Sequence, residues 1–179
     1  MTQPPSGAQQ YPPAAYAAAV PGDLTTAPPA SLVRWFSSSA AAGVPAGILW
    51  WCLAPGGAFF GSGQDTSSWL TRDLVLGLIG LVAGIVIALI MVPQRRSPGA
   101  YAKVAAAVVG SAVGSIVAWQ LGTLAGALWG HTPAHPASES VAFSLRSYSV
   151  LAIWPAVCAL IIFAVTLGSL LRSGPSHEQ

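Results

Sequence analysis

From Trp35 onward the chain alternates between long apolar stretches and short polar connections. The apolar stretches cover residues 35–54, 74–92, 104–129 and 149–171, and none contains a charged side chain. Each approaches the roughly 20 residues that a helix needs to cross about 30 Å of hydrocarbon. Inside a bilayer every backbone polar group must be bonded within its own segment or a closed sheet, which leaves helices or a barrel. Barrel strands alternate apolar and polar positions, and Leu74–Val92 does not. The pattern therefore predicts an all-α fold, a four-helix transmembrane bundle over residues 31–172. The first stretch is the least regular: Ser37, Ser38 and Ser39 begin it, and Pro45 interrupts it with an expected kink. Trp50 and Trp51 are expected to anchor its far end at the interface. Pro155 is expected to bend the fourth stretch where Trp154 projects.

Residues 1–30 are of a different character. Pro4, Pro5, Pro12, Pro13, Pro21, Pro28 and Pro29 punctuate a run of Ala, Gln, Ser and Thr, with Tyr11 and Tyr16 as the bulky exceptions. Such a segment has too little apolar surface to offset its ordering entropy. It reads as a disordered Pro/Ala-rich N-terminal tail with polyproline II character. A basic start and an apolar core are both lacking, so it does not read as a signal peptide. Residues 173–179 read as a short C-terminal tail.

Composition agrees with the pattern. Hydrophobic residues make up 54% of the 179 and charged residues 7%, against about 25% in a soluble domain. The placement of the few cations then predicts orientation. Arg34, Arg95, Arg96, Lys103 and Arg172 fall on one side, and only Arg72 and Arg146 on the other. Lys and Arg in short loops stay cytoplasmic, so both termini and the 93–103 connection are expected inside a cell (plasma) membrane. The net charge of +2 gives no footing for nucleic acid.

Glycines four apart share a helix face and let backbones approach closely. Gly43 with Gly47, Gly80 with Gly84, Gly110 with Gly114, and Gly122 with Gly126 are the expected helix-packing positions. The consistent spacing in three spans predicts a tight bundle.

Groups that carry chemistry are scarce. No ionisable side chain lies within a span, where such groups mark proton relays and ion paths. Gln120 is the most polar group within a span, accompanied by Ser111, Ser115, Thr123 and Thr166, and is expected to bond to a neighbouring helix or to line a polar path. Small multidrug transporters also cross four times, but they carry a membrane-embedded glutamate that is absent here. His131 and His135 stand four apart but are separated by Pro133, with Glu139 as the nearest further ligand, so a metal site is not expected. No histidine within a span can ligate a haem. Cys52 and Cys158 lie in apolar stretches and read as packing residues; the bulky Trp50 and Trp51 before Cys52 exclude a lipoprotein cleavage site. No catalytic, cofactor-binding or metal-binding residue is therefore predicted. Four charges, Asp65, Arg72, Asp73 and Arg146, approach the outer rim with Gln120 as candidate polar positions. They are expected mainly as solvated, interface-flanking charges, with Thr71 capping the second helix.

The stretch Gly61-Ser62-Gly63-Gln64-Asp65 and the run Leu74-Val75-Leu76-Gly77-Leu78-Ile79-Gly80-Leu81-Val82-Ala83-Gly84 resemble a family of uncharacterised actinobacterial four-span membrane proteins. Its members share a glycine-acid outer loop, glycine-rich second and third spans and a basic inner loop. The resemblance covers about residues 32–171 and implies an actinobacterial plasma membrane, with no assigned activity. The expected function is that of a non-catalytic accessory or assembly subunit of a membrane complex, with the lipid bilayer and a membrane protein partner or a second copy as its contacts. The alternative is a component of a transporter or channel for a small or lipidic substrate.

Overall fold

The computed structural model describes residues 27–60, 68–129, 143 and 145–172. Five α-helices account for most of them: α1 Pro29–Ala41, α2 Gly43–Leu53, α3 Ser68–Met91, α4 Ala100–Trp129 and α5 Ile153–Arg172. Short 3₁₀ turns over Val92–Arg96 and Tyr148–Ala152 complete the second span and begin the fourth. There is no strand among the described residues. Four units are long and apolar enough to cross a membrane: Pro29–Leu53, Trp69–Arg95, Ala100–Trp129 and Tyr148–Arg172. The chain is thus a four-span, all-α membrane bundle. At 1.5 Å per residue the spans are about 37–45 Å long, so their ends reach past the hydrocarbon into the interface.

Each span starts earlier than the apolar pattern alone predicts. The first begins at Pro29, with Pro28 extended at the N-cap (φ −62°, ψ 136°). Proline is well placed there, because the first-turn amide has no helical acceptor and its φ is already helical. The Pro28–Pro29 pair is a helix start rather than part of a tail; residues 1–26 lie outside the described residues. Pro45 acts as expected of a mid-span proline. It cannot donate to the Ala41 carbonyl, and the span breaks at Ala42 into α1 and α2. The ladder resumes at once, with Ala42 N–H donating to Ser38 O (3.1 Å) and Ala46 N–H to Ala42 O (3.3 Å). Pro155, by contrast, falls in the first turn of α5 after the 3₁₀ segment, where no helix hydrogen bond is lost.

The spans do not pair in chain order. The first packs along the third and the second along the fourth. The third also meets the fourth, and α2 meets α3, whereas the second and third spans, joined by a short connection, lie on a diagonal. Glycine explains the pairing. A Cβ on Gly47 would stand 2.5 Å from the Ala118 carbonyl oxygen, and one on Gly43 would overlap the Gly114 carbonyl. Across the same seam a Cβ on Gly110 would meet Phe36 O at 2.5 Å, and one on Gly114 would meet Ser39 O at 2.7 Å. Gly84 holds the second pair, 2.8 Å from Trp154 O by the same measure, while Gly80 has room for a methyl. Gly122 and Gly126 have a different use: they leave space for the rings of Trp50 and Phe143.

Three apolar tiers fill the interior. The end of the bundle that holds Pro29, the 92–100 connection and Arg172 is called proximal, the other distal. The proximal tier is Ala88, Met91, Ala107, Cys158 and Ile162 with Trp35 packed on it. Trp154, Ala46 and Ala118 form the middle tier. Trp50, Ala54, Leu76 and Leu145 form the distal one. At the proximal end Lys103, buried at the start of α4, donates to the Ser97 hydroxyl (2.9 Å), and Arg95 donates to Val165 O (3.2 Å).

Gly47→Ala is expected to force the first and third spans apart and destabilise the bundle by about 1–3 kcal/mol, the range for overpacking a filled interior. Gly168 has no atom within 4 Å of an added Cβ. Gly168→Ala is therefore expected to be neutral or to stabilise by up to about 1 kcal/mol through helix propensity. Unfolding of both variants in mixed detergent micelles, followed by circular dichroism, measures the difference.

Candidate functional site

Two features of the bundle combine polar groups with unusual surroundings: a polar clasp at the distal end and a crevice in the side of the bundle.

The clasp is built on Arg72 and Asp73. The second helix begins at Ser68, so Thr71 lies within it and is not its cap. The two charges consequently sit one turn into the helix, adjacent in sequence and facing different neighbours. Both are buried, 4% and 3% exposed, which overturns their reading as solvated flanking charges. Arg72 Nε donates to the Pro55 carbonyl (2.7 Å), and its guanidinium carbon stands 5.3 Å from the centre of the Phe143 ring. The Arg72 carbonyl accepts from Trp50 Nε1 (2.9 Å). Trp50 is fully buried and stacks at a tilt against Phe143, with centroids 4.6 Å apart. It is therefore a core residue and not an interface anchor. Asp73 accepts the backbone N–H of Ser147 (2.8 Å) and, at 3.5 Å, that of Arg146. The carboxylate thus fixes the chain just before the fourth span begins. A buried charge is tolerable only when bonded in this way.

The connection after α2 is shaped to meet this clasp. Gly56 adopts φ +82°, a conformation that favours glycine, and its N–H donates to Phe60 O (2.8 Å). Ala58 N–H donates back to Trp51 O (3.0 Å). The turn returns the Pro55 carbonyl to Arg72. Of the other candidate rim residues, Arg146 is exposed and lies over the Trp69 ring at 5.9 Å. Asp65 lies outside the described residues, as do His131, His135 and Glu139. Among the described residues no group of three or more His, Cys, Asp or Glu could hold a metal ion.

Gln120 is exposed on the perimeter of the third span, on the level where Trp119 meets Tyr148 edge-on (5.4 Å), and so it does not line an interior path. The hydroxyls of the spans are used locally. Ser111 donates to Ala107 O, Ser115 to Ala112 O, Thr123 to Trp119 O and Thr166 to Ile162 O, each within its own helix. Ser111 also lies beside the Cys158 thiol of the fourth span.

The crevice lies between the first two spans. Its volume is about 400 Å³. Pro45 and Leu49 wall one side, Leu78, Val82 and Val86 the other, and Trp154 forms the floor; the remaining lining residues are alanines and isoleucines. Trp154 is 2% exposed, and its buried Nε1–H has no hydrogen-bond partner. Trp51 Nε1 is also buried without a partner, but Trp51 sits at the distal end beside Trp129, centroids 5.8 Å apart. Leaving a buried donor unmet costs about 1–3 kcal/mol. Hydrocarbon offers no water to meet it.

Sequence reasoning named Arg72, Asp73 and the packing glycines. It missed Trp50, Phe143 and Pro55 as their partners, because contacts between residues 17 or more apart leave no local spacing to read. The crevice left one signal in the sequence, a proline and a tryptophan in otherwise aliphatic spans.

No family model, no curated protein and no solved structure matches the chain.

Asp73→Ala removes the acceptor for two backbone N–H groups at the start of the fourth span. The expected loss of stability is about 1.5–3 kcal/mol, the range for hydrogen bonds to a charged group. Asp73→Asn keeps one acceptor oxygen and is expected to lose roughly half as much. Thermal unfolding in detergent measures both.

Proposed function

We propose that this chain is a non-catalytic multi-pass membrane protein that acts by binding, as an accessory or assembly subunit of a membrane complex. The observation that carries this reading is the closed interior. Trp154 occupies the bundle axis between Gly80 and Gly114, with apolar tiers above and below. The hydroxyls of the third and fourth spans bond within their own helices, and the buried charges Arg72 and Asp73 are bonded to backbone and confined to the distal end. Such a body offers its perimeter, not a conduit or a reaction centre, and perimeter helices associate with other spans through packing. The bias of cations toward the proximal end favours an orientation with both termini in the cytoplasm.

A second reading, a component of a transporter for a lipidic substrate, draws on the lateral crevice between the first two spans. Gln120 contributes nothing to that route, being exposed on the third span.

Affinity purification from native membranes in mild detergent, followed by mass spectrometry, is expected to recover one membrane protein in stoichiometric amount, whose level falls when this chain is deleted. Recovery of the chain alone overturns the subunit reading. A reporter in the 95–103 connection is expected to be inaccessible from outside intact cells, and labelling there from outside reverses the orientation.

A further inference from the structure

We propose that the proximal edge of the fourth span binds the headgroup of an anionic phospholipid, held by Arg95 and Arg172 over the bare helix surface at Gly168. The inference requires the chain to span a bilayer, but it needs neither a protein partner nor a particular orientation.

The first observation is unmatched charge. Asp73 is the only acid among the described residues, and it is bonded at the distal end. None of Arg34, Arg95, Lys103 and Arg172 therefore meets a carboxylate among those residues at the proximal end. Lys103 donates to the Ser97 hydroxyl and Arg95 to the Val165 carbonyl, so both bond to neutral oxygens and keep their charge. The C-terminus of α5 supplies roughly half a negative charge, which falls short of two guanidinium groups.

The second is geometry. Val165, Gly168 and Arg172 stand at i, i+3 and i+7 and share one face of α5. A helical carbonyl points along the axis toward the amide of residue i+4. The Arg95 guanidinium, 3.2 Å from Val165 O, thus lies against the turn from 165 to 169. Arg172 follows one turn later, with its Cβ tilted back toward the helix start. Gly168 lies between them, and an added Cβ there meets no atom within 4 Å. Arg172 is exposed and Arg95 half-buried. The bond to Val165 leaves the other guanidinium N–H groups of Arg95 without a partner among the described residues. A phosphodiester shares its charge over two oxygens, accepts from both guanidinium groups and relieves their mutual repulsion.

The third is what adjoins the cations. Leu167, Leu170 and Leu171 are exposed beside Arg172, and Phe163 continues the exposed apolar surface one turn earlier. Arg95 and Arg172 are the last residues of the second and fourth spans, at the level where lipid headgroups begin. Cations that border exposed leucines at a span end fit a molecule with an anionic head and hydrocarbon tails. A soluble phosphate or an acidic peptide leaves those leucines uncovered.

The test uses the full chain purified in a neutral detergent. The probes are phosphatidylglycerol, phosphatidylcholine with the same acyl chains, and glycerol 3-phosphate, which has the phosphate but no chains. A ligand that binds only the folded state raises Tm in a saturable way. Phosphatidylglycerol is expected to do so at concentrations about five- to thirtyfold lower than phosphatidylcholine, the ratio for one to two cations near an anionic lipid. Glycerol 3-phosphate is expected to have no effect at those concentrations. Arg172→Gln removes an exposed, unpaired charge and is expected to reduce the preference for phosphatidylglycerol about fivefold. Gly168→Leu keeps both charges, covers the bare turn and is expected to abolish the preference. Arg146→Gln, at the distal end, is expected to leave it unchanged. Equal response to the two lipids overturns the proposal, and so does an equal response to glycerol 3-phosphate, which assigns the cations to a soluble anion. A preference retained in Arg172→Gln, or in Gly168→Leu, reduces it to diffuse attraction between charges and also overturns the proposal. If Gly168→Leu does not fold, Arg172→Gln measured against Arg146→Gln decides. None of these results bears on co-purification of a protein, so the subunit reading and this one stand or fall separately.

Discussion

Trp154 projects from the fourth span with its Cβ against Gly80 of the second and the edge of its ring over Gly114 of the third, while Ala46 of the first packs beside it. One side chain therefore touches all three neighbouring spans. In lipid, helix association gains little from hydrophobic exclusion, because the tails are as apolar as the side chains, and depends on close packing. A large rigid ring set among glycine and alanine gives that packing a fixed geometry. The out-of-sequence pairing goes with it: the second span closes on the fourth over Gly84, and the first closes on the third over Gly43 and Gly47, where the missing side chains admit backbone contact.

The ends of the bundle are held by a different force. At the distal end, Arg72 and Asp73 project from one turn of the second span to opposite neighbours, one bonding the connection after the first span and the other the start of the fourth. At the proximal end Lys103 and Arg95 bond within the 92–100 turn and to the fourth span. Charge-assisted bonds to backbone are strong where the dielectric is low and water is scarce, and they are directional. They set the register of spans that apolar packing alone would leave free to slide. The same division of labour leaves the middle of the bundle free of charge. Between the distal clasp and the proximal tier, the first and second spans part to form the lateral crevice.

The number of spans and their class were legible in the sequence, because a run of uncharged residues of bilayer length has one stable solution in lipid. Proline also spoke locally: Pro45 marked the break in the first span, since the missing N–H belongs to the residue itself. The same rule misled at Pro28 and Pro29, where proline begins a helix, and at Pro155, which falls in a first turn; whether a proline breaks or starts a helix depends on where the preceding chain runs. Glycine spacing announced that backbones approach. It could not say which approach, since a small residue presents the same absence to any partner.

What the sequence by itself determined was a four-span helical membrane protein with glycine-lined contact faces, and it did so through composition and period, which act within a segment. Tertiary structure alone decided that the first span lies on the third, that Arg72 and Asp73 are buried and bonded rather than solvated, that Trp50 is core, and that Trp154 carries an unmet donor at the floor of a crevice. Each of these depends on distances between residues far apart in the chain. Burial and hydrogen-bond satisfaction are properties of what surrounds a group, and those surroundings exist only once the spans have packed.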